Sequence, residues 1–152
     1  MDTIRDFEDM LELLDRHQVR YLIIGGLAFI YHAKPRYTKD MDLWLDSEPE
    51  NVRRANAALS DFGSPRLLDP DDPKEILQIG AAPNRIDLIR DVGEIEFAGA
   101  WPRRIDSRYG RARAQWIDLD SLIAIKSQID HPRHREDARV LQLVRQRKKS
   151  DG

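Results

Sequence analysis

Hydrophobic residues recur along the first third of the chain with two different periods. Ile4, Phe7, Leu11 and Leu14 are three or four residues apart, which predicts an amphipathic helix over 3–17. YLIIGG (21–26) is a short apolar run ending in two glycines and reads as a strand. LAFIYHA (27–33) predicts a helix as far as Lys34-Pro35, because the residue before a proline is driven out of the helical region. In TKDMDLWLD (38–46) the period drops to two. Met41, Leu43 and Leu45 then share one face of a strand, and Asp40, Asp42, Trp44 and Asp46 share the other.

Ser47-Glu48-Pro49-Glu50 predicts a helix start, with Ser47 as cap, Glu50 three residues on and Pro49 in the first turn. Val52, Ala55, Leu59 and Phe62 form the apolar face of that helix, and Gly63 ends it. After a loop rich in Asp and Pro (64–74), EILQIG (75–80) and RIDLIRD (85–91) predict an antiparallel hairpin joined across Ala-Ala-Pro-Asn. Strands are expected near 104–108 and 112–117 with Tyr109-Gly110 at the turn. Helices follow at 119–129 and 134–147, broken at His131-Pro132. Strands and helices in this order predict an α/β (α+β) protein, a mixed sheet with flanking helices. The 152 residues suit one domain, with a sheet-containing core at 1–117 and C-terminal helices at 118–149.

Composition narrows the function classes. There is no cysteine, which excludes disulfides and thiolate metal sites. No apolar run approaches a membrane span and the N-terminus lacks a signal-peptide pattern, so the expectation is a cytoplasmic protein with no membrane partner. The net charge of -2 hides an asymmetry. Residues 1–99 hold 20 acidic and 12 basic side chains, and residues 100–152 hold 7 and 13. A basic C-terminal third beside an acidic centre suits a polyanion held near a cation site, although basic side chains also simply solvate helices.

The acidic strand face carries the candidate chemistry. Asp40 and Asp42 repel one another unless something compensates, and Asp87 in RIDLI faces away from Ile86 and Leu88. If the two strands are neighbours, three carboxylates converge, a donor set suited to Mg²⁺ and to two-metal phosphoryl transfer. The alternative is a solvated face neutralised by Lys39, Arg36 or Arg85. Gly25-Gly26, between a strand and a helix, offers bare N–H groups to an anion, or serves only as a tight turn.

The run GGLAFIYHAKPRYTKDMDLWLD resembles the small nucleotidyltransferases of the DNA polymerase β superfamily, most closely their abortive-infection and toxin-type branch. The matching residues are Gly25, Gly26, Arg36, Thr38, Asp40 and Asp42, with Asp87 as the later carboxylate. Lys126 in SLIAIK, and Arg135 to Asp137, fit the branch's C-terminal pattern. The chain departs from the superfamily's Gly-Ser form in having Gly26 where a serine hydroxyl would meet phosphate. The resemblance implies transfer of a nucleoside monophosphate from a nucleoside triphosphate, ATP among them, to a hydroxyl of RNA (tRNA included) or protein. Asp40, Asp42 and Asp87 would bind two Mg²⁺ ions, with Mn²⁺ as a substitute. Gly25, Gly26, Arg36, Thr38 and Lys126 would hold the nucleotide, Lys126 also offsetting charge on the leaving pyrophosphate. As a toxin, the chain would have a cognate antitoxin as partner. Two other readings of the same residues are a non-catalytic RNA- or protein-binding module, itself antitoxin-like, and a metal-dependent phosphohydrolase or nuclease.

Other signals are weaker. Asp61-Phe62-Gly63 and His134-Arg135-Glu136-Asp137 echo kinase motifs without a Gly-rich lid and in the wrong order. His131 and His134 read as surface residues, and His32 as packing beneath the site. Trp44 either stacks on a base or is covered by a helix. Arg103, Arg104, Arg108, Arg111 and Arg113 lie among Trp101, Tyr109 and Trp116, a mixture that suits single-stranded nucleic acid or a core with a charged rim.

Overall fold

The computed structural model describes residues 3–81 and 84–151. Among the described residues, six helices and six strands follow in the order α1 (Arg5–Arg16), β1 (Tyr21–Ile24), α2 (Gly25–His32), β2 (Asp40–Leu45), α3 (Pro49–Phe62), β3 (Ile76–Ile79), β4 (Arg85–Ile89), α4 (Phe97–Ala100), β5 (Ile105–Tyr109), β6 (Ala112–Trp116), α5 (Leu119–Gln128) and α6 (Pro132–Asp151). The strands form one mixed sheet in the order β3-β4-β2-β1-β6-β5. β1 runs antiparallel to β2, and β2 runs parallel to β4. The β3–β4 and β5–β6 pairs are the two expected hairpins. Ala82 and Pro83, in the first hairpin's connection, lie outside the described residues. Among the described residues no helix is long and apolar enough to cross a membrane.

The period of two in the strands separates a dry face from a polar one. Met41, Leu43 and Leu45 of β2, Ile86 and Leu88 of β4, and Leu77 of β3 are all buried. The other face of the same strands carries Asp40 and Asp42, Arg85 and Asp87, and Gln78. Helix α1 packs on α3 and β6, while α2 leans on β1 and β2 and touches α5 and α6.

Several boundaries differ from the sequence reading for local reasons. The run 21–26 stops being a strand at Ile24, because Gly25 and Gly26 already form the first turn of α2. Helix α3 is capped by Glu48 rather than Ser47. Pro49 takes the first helical position, so the residue before it is held extended (φ -56, ψ 139) and becomes the cap. Gly63 ends α3 in the left-handed region, as expected. Helix α6 begins at Pro132, where a missing N–H costs nothing. The short α4, followed by a 3-10 turn at Trp101–Arg103, is a lid on Trp44: Phe97 meets that indole edge-on at 5.2 Å.

Asn51 fastens α3 to the sheet end beside β1 and β2. Its carbonyl accepts from Arg20 N at 2.7 Å, and its amide donates to Arg20 O at 3.0 Å and Asp46 O at 2.9 Å. Without Asn51, Arg20 N and Asp46 O lose this partner while Arg20 O keeps only Asp46 N at 3.2 Å, so Asn51→Ala is expected to lose about 1–2 kcal/mol of folding free energy. Urea denaturation of the two proteins measures it.

Candidate active site

β2 and β4 pair in parallel with Asp42 directly opposite Asp87 and Asp40 opposite Arg85. Residues opposite one another on neighbouring strands point to the same side, so all three sequence-predicted carboxylates meet on one patch. β1 adds Ile24 opposite Asp42, and Gly25 follows at once. The glycine turn and the carboxylates are therefore brought together by a single register.

The contact is intimate. Gly25 has φ +68, and a Cβ there would lie 2.0 Å from Asp42 Oδ2. Only glycine fits, both for the backbone angle and for the approach of the carboxylate. At Gly26 a Cβ would stand 2.6 Å from Thr38 Oγ1. The threonine hydroxyl thus fills the space into which a serine at position 26 would project. Thr38 sits in the strap 33–39 between α2 and β2.

The electrostatics are those of crowded anions. Burial, then the charges of Asp87 and Asp40, push the Asp42 carboxyl up to about 7. Arg85 supplies the compensating charge. Its Nε donates to Asp87 Oδ1 at 2.9 Å, and its Nη2 donates to Asp87 Oδ2 at 3.2 Å and Asp40 Oδ2 at 3.0 Å. The sequence offered Arg85 as a neutraliser of this face, and it is one. As the side chains stand, no three His, Cys, Asp or Glu among the described residues are arranged to hold a metal ion. The donor chemistry still suits a hard cation: the carboxylates supply oxygen only, and their positive counter-charge comes from one side chain that is one-third exposed.

Lys126 and Arg36 are not surface groups waiting for phosphate. Lys126 is 4% exposed and donates to Asp137 Oδ2 at 3.0 Å; Arg36 donates to Asp137 Oδ1 at 2.7 Å and lies over the Phe29 ring at 4.1 Å. Burial, only partly offset by Asp137, lowers the Lys126 pKa. Burial raises Asp137, but Arg36 and Lys126 outweigh it and leave its carboxyl below the usual value. Two cations on one carboxylate leave this corner net positive, and the Lys126 charge is felt at Asp42. The network also ties α6 to α5 and to the strap.

The weaker signals resolve individually. Trp44 is 1% exposed beneath Phe97, so it belongs to the core and offers no stacking surface. His32 is buried and its Nε2 donates to Ile117 O at 2.7 Å, a packing role. His134 is half-buried rather than fully on the surface, with Nδ1 3.4 Å from Lys126 Nζ. Tyr109 and Trp116 are core residues, and Trp101 is covered by Arg104 at 4.0 Å, while Arg108, Arg111 and Arg113 are exposed. The sequence reading missed Asp137 as the anchor of Lys126 and the reach of Arg85. The available signal was parity: Arg85 stands two residues before Asp87, hence on its face.

A carboxyl raised in the folded state binds its proton more tightly there than when unfolded. Stability is thus highest below pH 4 as far as Asp42 is concerned and falls as pH rises from about 4 to about 7. Thermal melts in chelator should show that slope, and Asp42→Asn should flatten it and raise the melting temperature at pH 7.5. Asp137→Ala strands the buried Lys126 and the half-buried Arg36 and is expected to cost about 3 kcal/mol, whereas Lys126→Met leaves the Arg36–Asp137 pair intact and costs less. Urea midpoints rank the two variants.

No family model matches the chain, and no curated protein sequence matches it. Solved structures do. The lincosamide antibiotic adenylyltransferase LnuA, in its lincomycin-bound crystal structure, is similar with a TM-score of 0.62 at 13% identity, over 94% of this chain and 99% of that one. ANT(2")-Ia in complex with adenylyl-2"-tobramycin gives 0.60 at 18%, over 95% of each chain. An antigenic nucleotidyltransferase-like protein from Paracoccidioides brasiliensis gives 0.52 at 12%, over 94% of this chain and 78% of that one. The mixed sheet with its six helices is the nucleotidyltransferase fold.

Proposed function

We propose that this chain is a metal-dependent nucleotidyltransferase. It moves a nucleoside monophosphate from a nucleoside triphosphate to an acceptor hydroxyl: the hydroxyl oxygen bonds to the α-phosphorus, the bond to the bridging oxygen breaks, and pyrophosphate leaves. The observation that carries this reading is the register of Asp42 against Asp87, beside the Gly25 turn, on a nucleotidyltransferase fold.

Asp40, Asp42 and Asp87 are the residues that would hold Mg²⁺, or Mn²⁺ in its place. Bound there, the ions would lower the pKa of the acceptor hydroxyl and stabilise charge on the attacking and leaving oxygens. Asp87 accepts the acceptor's proton in this reading. The N–H groups of Gly25 and Gly26 open α2, where the first turn has no internal partners, and would be offered to the triphosphate. Thr38 supplies the hydroxyl that position 26 lacks. Lys126 acts through its field rather than by contact, since Asp137 holds it. Arg36 positions the strap that carries Thr38.

For the acceptor we favour RNA, supported by the exposed Arg108, Arg111 and Arg113 on the β5–β6 hairpin. A toxin role with a cognate antitoxin belongs to the same reading. A second reading, a non-catalytic binding module, is favoured by one observation, the internal neutralisation of the carboxylates by Arg85.

Incubation with Mg²⁺, each of four α-labelled nucleoside triphosphates, and pools of RNA, protein and small hydroxyl compounds separates these. Label is expected in RNA with release of pyrophosphate, and Asp42→Asn should reduce it at least about a thousandfold. Label in a small molecule would move the acceptor to the class named for LnuA and ANT(2")-Ia. Tight RNA binding without transfer or triphosphate binding would establish the second reading. Growth arrest on expression of the wild-type chain but not of Asp42→Asn is the expected outcome for a toxin.

A further inference from the structure

Arg85 has no part in the reaction just described, yet it stands at the centre of the acidic face. Its three hydrogen bonds take up Asp40 Oδ2 and both oxygens of Asp87. These are the atoms that a divalent cation would need. The contact is written into the strands: Arg85 is opposite Asp40 across the β2–β4 ladder and two residues before Asp87 on the same face. A guanidinium forks onto carboxylates in fixed geometry, so one side chain answers both Asp40 and Asp87. Apart from these bonds the side chain is free to turn outward, since it is one-third exposed and opens its strand. Lys126, the other cation whose charge acts on Asp42, cannot take its place because Asp137 holds it at 3.0 Å.

We propose that Arg85 is an internal counter-ion that keeps Asp40 and Asp87 assembled in the metal-free chain and must be displaced before a divalent cation can bind. The inference rests on the reading of these carboxylates as metal ligands. Its consequence is that Arg85 sets the metal affinity of the site. A metal entering pays for breaking the Arg85 contacts, and the displaced guanidinium stays tethered at the rim of β4, beside any phosphate that arrives with the metal. Binding of metal together with triphosphate is then favoured over binding of metal alone, because only the former gives Arg85 a new anion.

The test uses metal alone. Mn²⁺ is titrated into the wild-type chain and into Arg85→Met, which keeps the aliphatic stem, with binding read by electron paramagnetic resonance of the free ion. The variant is expected to bind Mn²⁺ at least about tenfold more tightly, since one positive charge leaves the site. Equal or weaker binding by the variant overturns the proposal, and so does an absence of binding by both proteins at millimolar Mn²⁺. Because Arg85→Met can be unstable without metal, the wild-type chain provides a second readout. The Arg85 Nε–H resonance should exchange slowly with water in chelator and move to that of a free guanidinium as Mg²⁺ saturates the site. Mg²⁺ binding that leaves this resonance unmoved overturns the proposal. Nucleotide transfer is scored separately. Transfer with an unmoved Arg85 removes this inference alone, and release of Arg85 by Mg²⁺ without transfer removes the catalytic reading alone.

Discussion

Parallel pairing of β2 with β4, in the one register that sets Asp42 against Asp87, is the constraint from which the rest of the site follows. Strands in a sheet lie about 5 Å apart, so the pairing forces carboxylates together at a cost of about 3 kcal/mol per ionised pair at an effective dielectric near 20. The register is enforced from below. Met41, Leu43, Ile86 and Leu88 are buried on the opposite face, and a slip of one residue would turn them to solvent. The hydrophobic effect on one side of the sheet thus sustains an electrostatic strain on the other.

Three devices carry that strain. Asp42 retains a proton far above the usual carboxyl range, Arg85 bridges Asp40 and Asp87, and Gly25 yields the space that Asp42 needs. A second charged cluster, Asp137 with Lys126 and Arg36, stands beside the first and is organised in the opposite sense, with two cations on one anion. The two clusters polarise the region: anions at the ends of β2 and β4, excess positive charge where α5 and α6 meet the strap. In the proposed reaction a triphosphate with its metal ions would match that polarity, its cations facing the carboxylates. The fold is shared with LnuA and ANT(2")-Ia, and the particular residues supply the polarity.

Much of this was legible in the residues because local physics dictated it. Alternation in DMDLWL and RIDLI fixed which side chains share a face, Gly63 marked its helix end, and the expected turn at Tyr109-Gly110 falls one residue later, at Gly110-Arg111, because Tyr109 still pairs with Ala112. Where the reading went astray, a neighbouring constraint overrode the pattern. Pro49 moved the α3 cap from Ser47 to Glu48, and Gly25-Gly26 passed from strand to helix because α2 starts without a loop. The four-residue α4 has no periodicity to detect, and its reason for existing is Trp44, fifty-odd residues earlier in the chain.

The sequence by itself determined the two-faced strands, the acidic patch and the candidate glycine turn, since these depend on side-chain period and backbone freedom over a few residues. Only the tertiary structure decided that β4 lies beside β2, that Arg85 rather than solvent answers the carboxylates, and that Lys126 is spoken for by Asp137. The strand pairing, the Arg85–Asp40 bond and the Lys126–Asp137 bond join residues 11 to 45 apart, and the rest is a choice among several cations of equal charge. Their outcome depends on strand order and on where a flexible side chain finds its partner, which no short stretch of residues encodes.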